Sequence, residues 1–115
     1  MPRYMLLMYQ PVDGGPSPEE WPEHHARWAR YDQEVKEAGL FVANDGLERP
    51  ESATTVRVRD GETQITDGPF AETKEYLAGY YLIDAADLDQ ALEWAARIPS
   101  STYGSVEVRP LWGAR

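Results

Sequence analysis

The 115-residue chain contains no cysteine, which removes disulfides, a thiolate nucleophile and any zinc–cysteine site together. Positive charge is scarce. Eleven Lys+Arg stand against twenty Asp+Glu, a formal net charge of −9, and that sign does not suit a phosphate backbone, so nucleic acid is not an expected partner. No apolar run nears the ~20 residues of a membrane span. Residues 1–9 carry one Arg and one short apolar stretch and lack the shape of a signal peptide. Neither a glycine-rich phosphate loop nor a nucleophile elbow occurs, which sets aside nucleotide and serine-hydrolase chemistry, and no cofactor is implied. These absences describe a soluble, acidic, cytoplasmic protein without a membrane or nucleic-acid role. Its length is that of a single domain, residues 1–115.

What is present is enough for one core: 42% of residues are hydrophobic and 11% aromatic. Arg3 to Tyr9 is a nearly continuous apolar run, too short for a helix and suited to a buried strand. Ser17-Pro18-Glu19-Glu20 has the form of a capping box, while Pro22 predicts a one-turn helix and then a main helix from about Glu23. Trp21, Trp28 and Val35 recur every seven residues with Tyr31 between them, giving one aromatic helix face that ends at Gly39. Leu40 to Ala43 reads as a strand entering an Asn44-Asp45-Gly46 turn. Thr54 to Arg59 alternates, with Val56 and Val58 expected on the buried side; Asp60-Gly61 then turns the chain into Glu62 to Thr66. Tyr76 to Ile83 is a second apolar strand. Asp87 caps a second helix with Leu88, Ala91, Leu92, Ala95 and Ile98 on one side, and Ser105 to Pro110 is the last strand.

The order β-α-β, hairpin, β-α-β gives an α+β fold: a ferredoxin-like split βαβ arrangement with an inserted β-hairpin and both helices on one sheet face. The other face, rich in Tyr, Met and Val, is then bare, and a homodimer is the expected way to cover it.

Tyr4-Met5-Leu6-Leu7-Met8-Tyr9, and Asp67-Gly68-Pro69-Phe70-Ala71-Glu72-Thr73-Lys74-Glu75, resemble the YCII-related superfamily in its DGPF-domain branch. Leu82-Ile83-Asp84, Ala91 to Ala95, and Gly104 to Leu111 extend the resemblance over nearly the whole chain. It implies a dimeric α+β barrel with a pocket holding a His and an Asp. One relative is a dehydrochlorinase of a chlorinated hydroxyhydroquinone, and other DGPF members are associated with alternative sigma factors. The family Asp falls on Asp84. The family His falls nearer Arg27 than His24 or His25.

His24 and His25 point about 100° apart on a helix, so one faces the aromatic side and the other solvent. As neighbours they lack the spacing of helical metal ligands, and no metal is expected. A histidine oriented by Asp84 is a candidate acid–base catalyst, and would titrate high; the plainer reading of Asp84 is a local backbone cap. Arg57 and Arg59, two apart on one strand face, could hold an anion; more often such pairs are solvated. Asp67, Phe70 and Lys74 belong to a loop readable as a pocket lid or as a plain turn anchored by Phe70. Tyr80 is a candidate polar handle of an apolar cavity. Two functional readings follow. The first is a small-molecule pocket between helices and sheet with cofactor-independent, lyase- or isomerase-like His/Asp chemistry. The second is a non-catalytic module, linked to a sigma factor, that meets a basic partner through Glu19, Glu20, Glu23, Glu34 and Glu37, residues that also suit a plain solvated helix face.

Overall fold

The computed structural model describes residues 2–113. Its elements run β1 (Arg3–Pro11), α1 (Trp21–Glu37), β2 (Phe41–Gly46), β3 (Thr54–Arg59), β4 (Glu62–Asp67), β5 (Glu75–Asp84), α2 (Leu88–Ala96) and β6 (Ser105–Pro110), with short 3-10 turns at Pro50–Ser52 and Pro99–Thr102. Four strands form one sheet in the order β2-β5-β1-β6, every neighbouring pair antiparallel. That order, with the two helices as crossovers, is compatible with a ferredoxin-like α+β fold.

Alternation along the two central strands decides where the core lies. Tyr4, Leu6 and Met8 of β1, with Tyr81 and Ile83 of β5, turn inward. There they meet Tyr31 and Val35 of α1 and Ala91, Trp94 and Ala95 of α2. Both helices therefore cover one face. Met5, Leu7, Tyr80 and Leu82 occupy the other face and stay half-exposed.

α1 begins at Trp21, two residues before the sequence suggests, and Pro22 does not interrupt it. A proline in the first turn removes an N–H that has no intrahelical acceptor, so it costs the helix nothing there. Ahead of it the Glu20 carboxylate accepts from the Ser17 backbone N–H at 2.8 Å, one half of the expected capping box. At α2, Asp87 accepts from the Gln90 N–H at 2.9 Å and Gln90 Oε1 from the Ala86 N–H at 2.7 Å. The buried stripe of α2 runs through Ala91, Trp94, Ala95 and on to Ile98, whereas Leu88 and Leu92 are about half exposed, which corrects the face expected for them. The strand β2 also continues through Asn44-Asp45-Gly46, read from sequence as a turn, because β5 is long enough to pair with it.

β3 and β4 pair only with each other, as a separate two-stranded sheet. Asp60 (φ 52°) and Gly61 (φ 77°) are both left-handed, as a two-residue turn matched to strand twist requires. The molecule is a slab of 48 × 43 × 18 Å. Its radius of gyration of 16.3 Å exceeds the ~13 Å of a compact chain this long.

Candidate functional site

Glu20, just ahead of α1, and Glu23, His24 and Arg27 in its first turns form the wall of a pocket of about 390 Å³. Gly15 and Pro16 close one side, and Thr102 and Tyr103, which follow α2, close the other. Gly15 has φ +89° and lies so near the Tyr103 ring that a Cβ would sit 3.4 Å from it, so a glycine fits both the backbone and the space.

His24 is the centre of this site. It is 5% exposed although it lies in the first turns of a surface helix. The indole N–H of Trp28 donates to His24 Nε2 at 3.0 Å, and the Tyr103 hydroxyl lies 3.2 Å from the same nitrogen. Trp21 meets the imidazole edge-on with ring centres 5.3 Å apart. Burial, then the positive Arg27, then His25 hold the His24 pKa below that of free imidazole, against a smaller opposing pull from Glu20. The Glu20 carboxyl is held low chiefly by its hydrogen bonds with Ser17, and burial raises the Tyr103 phenol. His25, one position on, is exposed and stacks obliquely on Trp21. The two histidines divide as helical geometry predicts.

Asp84 does not join them. It is the register partner of Arg3 and accepts from Arg3 Nε at 2.9 Å. Ile83, its neighbour, points into the core, so Asp84 projects from the sheet face opposite the helices. The expectation of a histidine titrating high against Asp84 is corrected accordingly: His24 titrates low, and its partners are Trp28 and Tyr103.

A second, larger pocket of about 940 Å³ lies between the 47–53 segment, the 68–73 loop and the ends of β1 and β5. Phe70 lines it but is 79% exposed, so it does not anchor the loop in the core. Arg57, Arg59, Asp67, Lys74 and Tyr80 line neither of these two pockets. The Arg57 guanidinium reaches the Phe70 carbonyl at 3.4 Å and Arg59 the Val58 carbonyl at 3.0 Å. Tyr80 stands opposite Leu7 on the bare sheet face. Of the acidic helix residues, Glu34 pairs with Arg97 at 2.9 Å, and Glu37 accepts from Gln33 at 3.4 Å.

The sequence does not point to Tyr103, and it marks Arg27 only as the neighbour of the family His, Glu20 as a capping-box residue and surface charge, and Glu23 as surface charge. Trp21 and Trp28 lie one helical turn from both His24 and His25, so the sequence marks one histidine as inward without saying which. Nothing local joins Tyr103 to a residue 79 positions earlier.

The YCII-related domain family model matches residues 2–114. An uncharacterized protein of Rhizobium meliloti (strain 1021) is 55% identical over 77 residues, an alignment taking in 65% of this chain and 62% of that relative. The chain thus spans less than two thirds of the relative's length.

Proposed function

Because this chain belongs to the YCII-related domain family, we propose that it binds a small molecule in the His24 pocket, with His24 as the group that handles the ligand's proton or hydrogen bond. The observation that carries this reading is a nearly buried histidine kept neutral in a wall that also carries a guanidinium and two carboxylates. Perturbed pKa values cluster at functional sites, so a shifted histidine inside a concave pocket is a functional-site candidate. The volume of about 390 Å³ suits a small organic molecule. Acid–base chemistry of the lyase or isomerase kind fits this site through His24 alone, since Asp84 is engaged by Arg3 on the far sheet face.

The DGPF branch is the finer assignment we propose, on the Asp67–Glu75 run. A homodimer through the bare sheet face belongs to the same proposal. Met5, Leu7, Tyr80 and Leu82 offer the apolar centre, and a slab 48 × 43 Å across has more face than the ~800 Å² a standard interface takes from each partner.

Histidine proton resonances followed against pH, with and without a library of small polar compounds, test the function. His24 is expected to titrate below free imidazole and to respond to a bound compound; the titration is expected to be unchanged in Asp84→Asn. The stability linkage has a definite sign. A pKa lowered on folding means that the unfolded chain takes up the proton first, so stability is full above about pH 6.5 and is lost as pH falls below it. A His24 that titrates high and drops in Asp84→Asn would restore the His/Asp pair and refute the site drawn here.

A further inference from the structure

The hydrogen bond from Trp28 determines more than the position of His24. An indole N–H can donate but never accept. Its contact with His24 Nε2 at 3.0 Å therefore requires that nitrogen to be bare, and in a neutral imidazole the proton must then sit on Nδ1. Protonating the ring would set two N–H groups against each other, in keeping with the lowered pKa.

The other ring nitrogen is the one left for a ligand. Among the described residues, Nδ1 has no hydrogen-bond partner, and Ser100 Oγ is the side-chain polar atom that is both sealed from solvent and unpartnered. Nδ1 is thus not sealed from solvent, and His24 is one of the residues that line the pocket. Arg27 lines the same pocket, exposed and without a protein hydrogen bond or ion pair among the described residues. The pocket therefore offers two unsatisfied donor groups, a neutral imidazole N–H and a cationic guanidinium. Glu20 and Glu23 supply acceptors on the wall, His25 borders the site from the next position on α1, and Tyr103 faces the imidazole from beyond α2.

We infer that Trp28 is a positioning residue that holds His24 as an Nδ1–H donor, and that this donor and Arg27 together bind the oxygens of a small organic carboxylate. The inference rests on the pocket proposed above and narrows it: the imidazole meets the ligand as a hydrogen-bond donor, not as a base. A neutral donor beside a guanidinium satisfies a carboxylate in the way charge-assisted and neutral N–H bonds combine at other anion sites. The carboxylates on the wall favour ligands that bring a donor at the opposite end.

The test is heteronuclear NMR of the histidine rings in the whole chain at neutral pH, with benzoate as the carboxylate probe and benzylamine as the cationic one. His24 is expected as the Nδ1–H tautomer in the wild type and to leave that form in Trp28→Phe, while benzoate shifts its Nδ1 signal. Arg27→Gln is expected to weaken benzoate about tenfold, the usual loss for one charge-assisted bond. The wild-type tautomer is readable even if Trp28→Phe folds poorly. An Nε2–H tautomer in the wild type overturns the inference. Benzylamine shifting His24 where benzoate does not also overturns it, yet leaves the small-molecule pocket standing. Silence of His24 toward both probes and toward the wider library removes the inference and the pocket reading together.

Discussion

β3 and β6 have nearly the same pattern and opposite fates. Thr54–Arg59 reads TTVRVR and Ser105–Pro110 reads SVEVRP, each placing two valines in alternation with charged residues. In β6 the valines turn inward: Val106 stands opposite Met8 and Val108 opposite Leu6, both packed against the core. In β3 the phase is reversed. Val56 and Val58 are each 59% exposed and Ile65, opposite Val56, is 69% exposed, while Arg57 takes the more covered side beneath the Phe70 carbonyl. Alternation specifies a period, and the phase comes from what lies against the strand. β6 has β1 and α2 to set it. β3 has only β4, and a lone two-stranded ribbon has no face that must be buried.

The contrast predicts a steep gradient of sensitivity from sheet centre to hairpin. Ile83, fully buried on β5 between β1 and β2, stands at the steep end. Ile83→Ala is expected to cost about 2–5 kcal/mol, the range for opening a cavity in a packed core. Chemical denaturation read by tryptophan fluorescence measures it; a loss under 1 kcal/mol would mean that the sheet and helices are not packed as described.

Gly104 comes next, at the entry to β6. A Cβ there would collide with the Tyr9 carbonyl oxygen and lie 3.3 Å from that of Ser100, both backbone atoms that cannot swing aside. Gly104→Ala is therefore expected to cost about 1–3 kcal/mol by overpacking. Gly61 in the hairpin turn has nothing within 4 Å of such a Cβ; its constraint is the positive φ alone. The same denaturation experiment checks Gly104→Ala, and an unchanged midpoint would place β6 further from β1 than the register requires.

The sequence made most of the central sheet legible because its two central strands have a buried side that the apolar pattern marks: Leu6, Tyr81 and Ile83 fall where alternation puts them. The same rule contained the answer for Asp84. With Ile83 inward, Asp84 had to face away from the helices, so it could not meet a histidine of α1; its position between strand and helix, and a resemblance, outweighed that geometry. That one of His24 and His25 faces inward was legible from the aromatic side of α1; which of them does so was not, since Trp21 and Trp28 lie one turn from both. Nor was the contact of His24 with Tyr103, since only the docking of the Pro99–Thr102 turn near the start of α1 brings the two together. The hairpin phase was illegible for the reason given: no partner element encodes it.

The smallest expected effect bears most directly on the contrast. Val108→Ala removes two half-buried methyl groups and is expected to cost about 1 kcal/mol. Val56→Ala is expected to stay within about 0.5 kcal/mol, as exposed substitutions do. Both are read at low and at high protein concentration. If the hairpin face stays in water, the two numbers keep their distance at every concentration. A Val56→Ala loss that grows to match Val108→Ala as the protein is concentrated would show that a second copy covers Val56, Val58 and Ile65. β3 would then obey the same rule as β6, its phase set by a surface from another molecule.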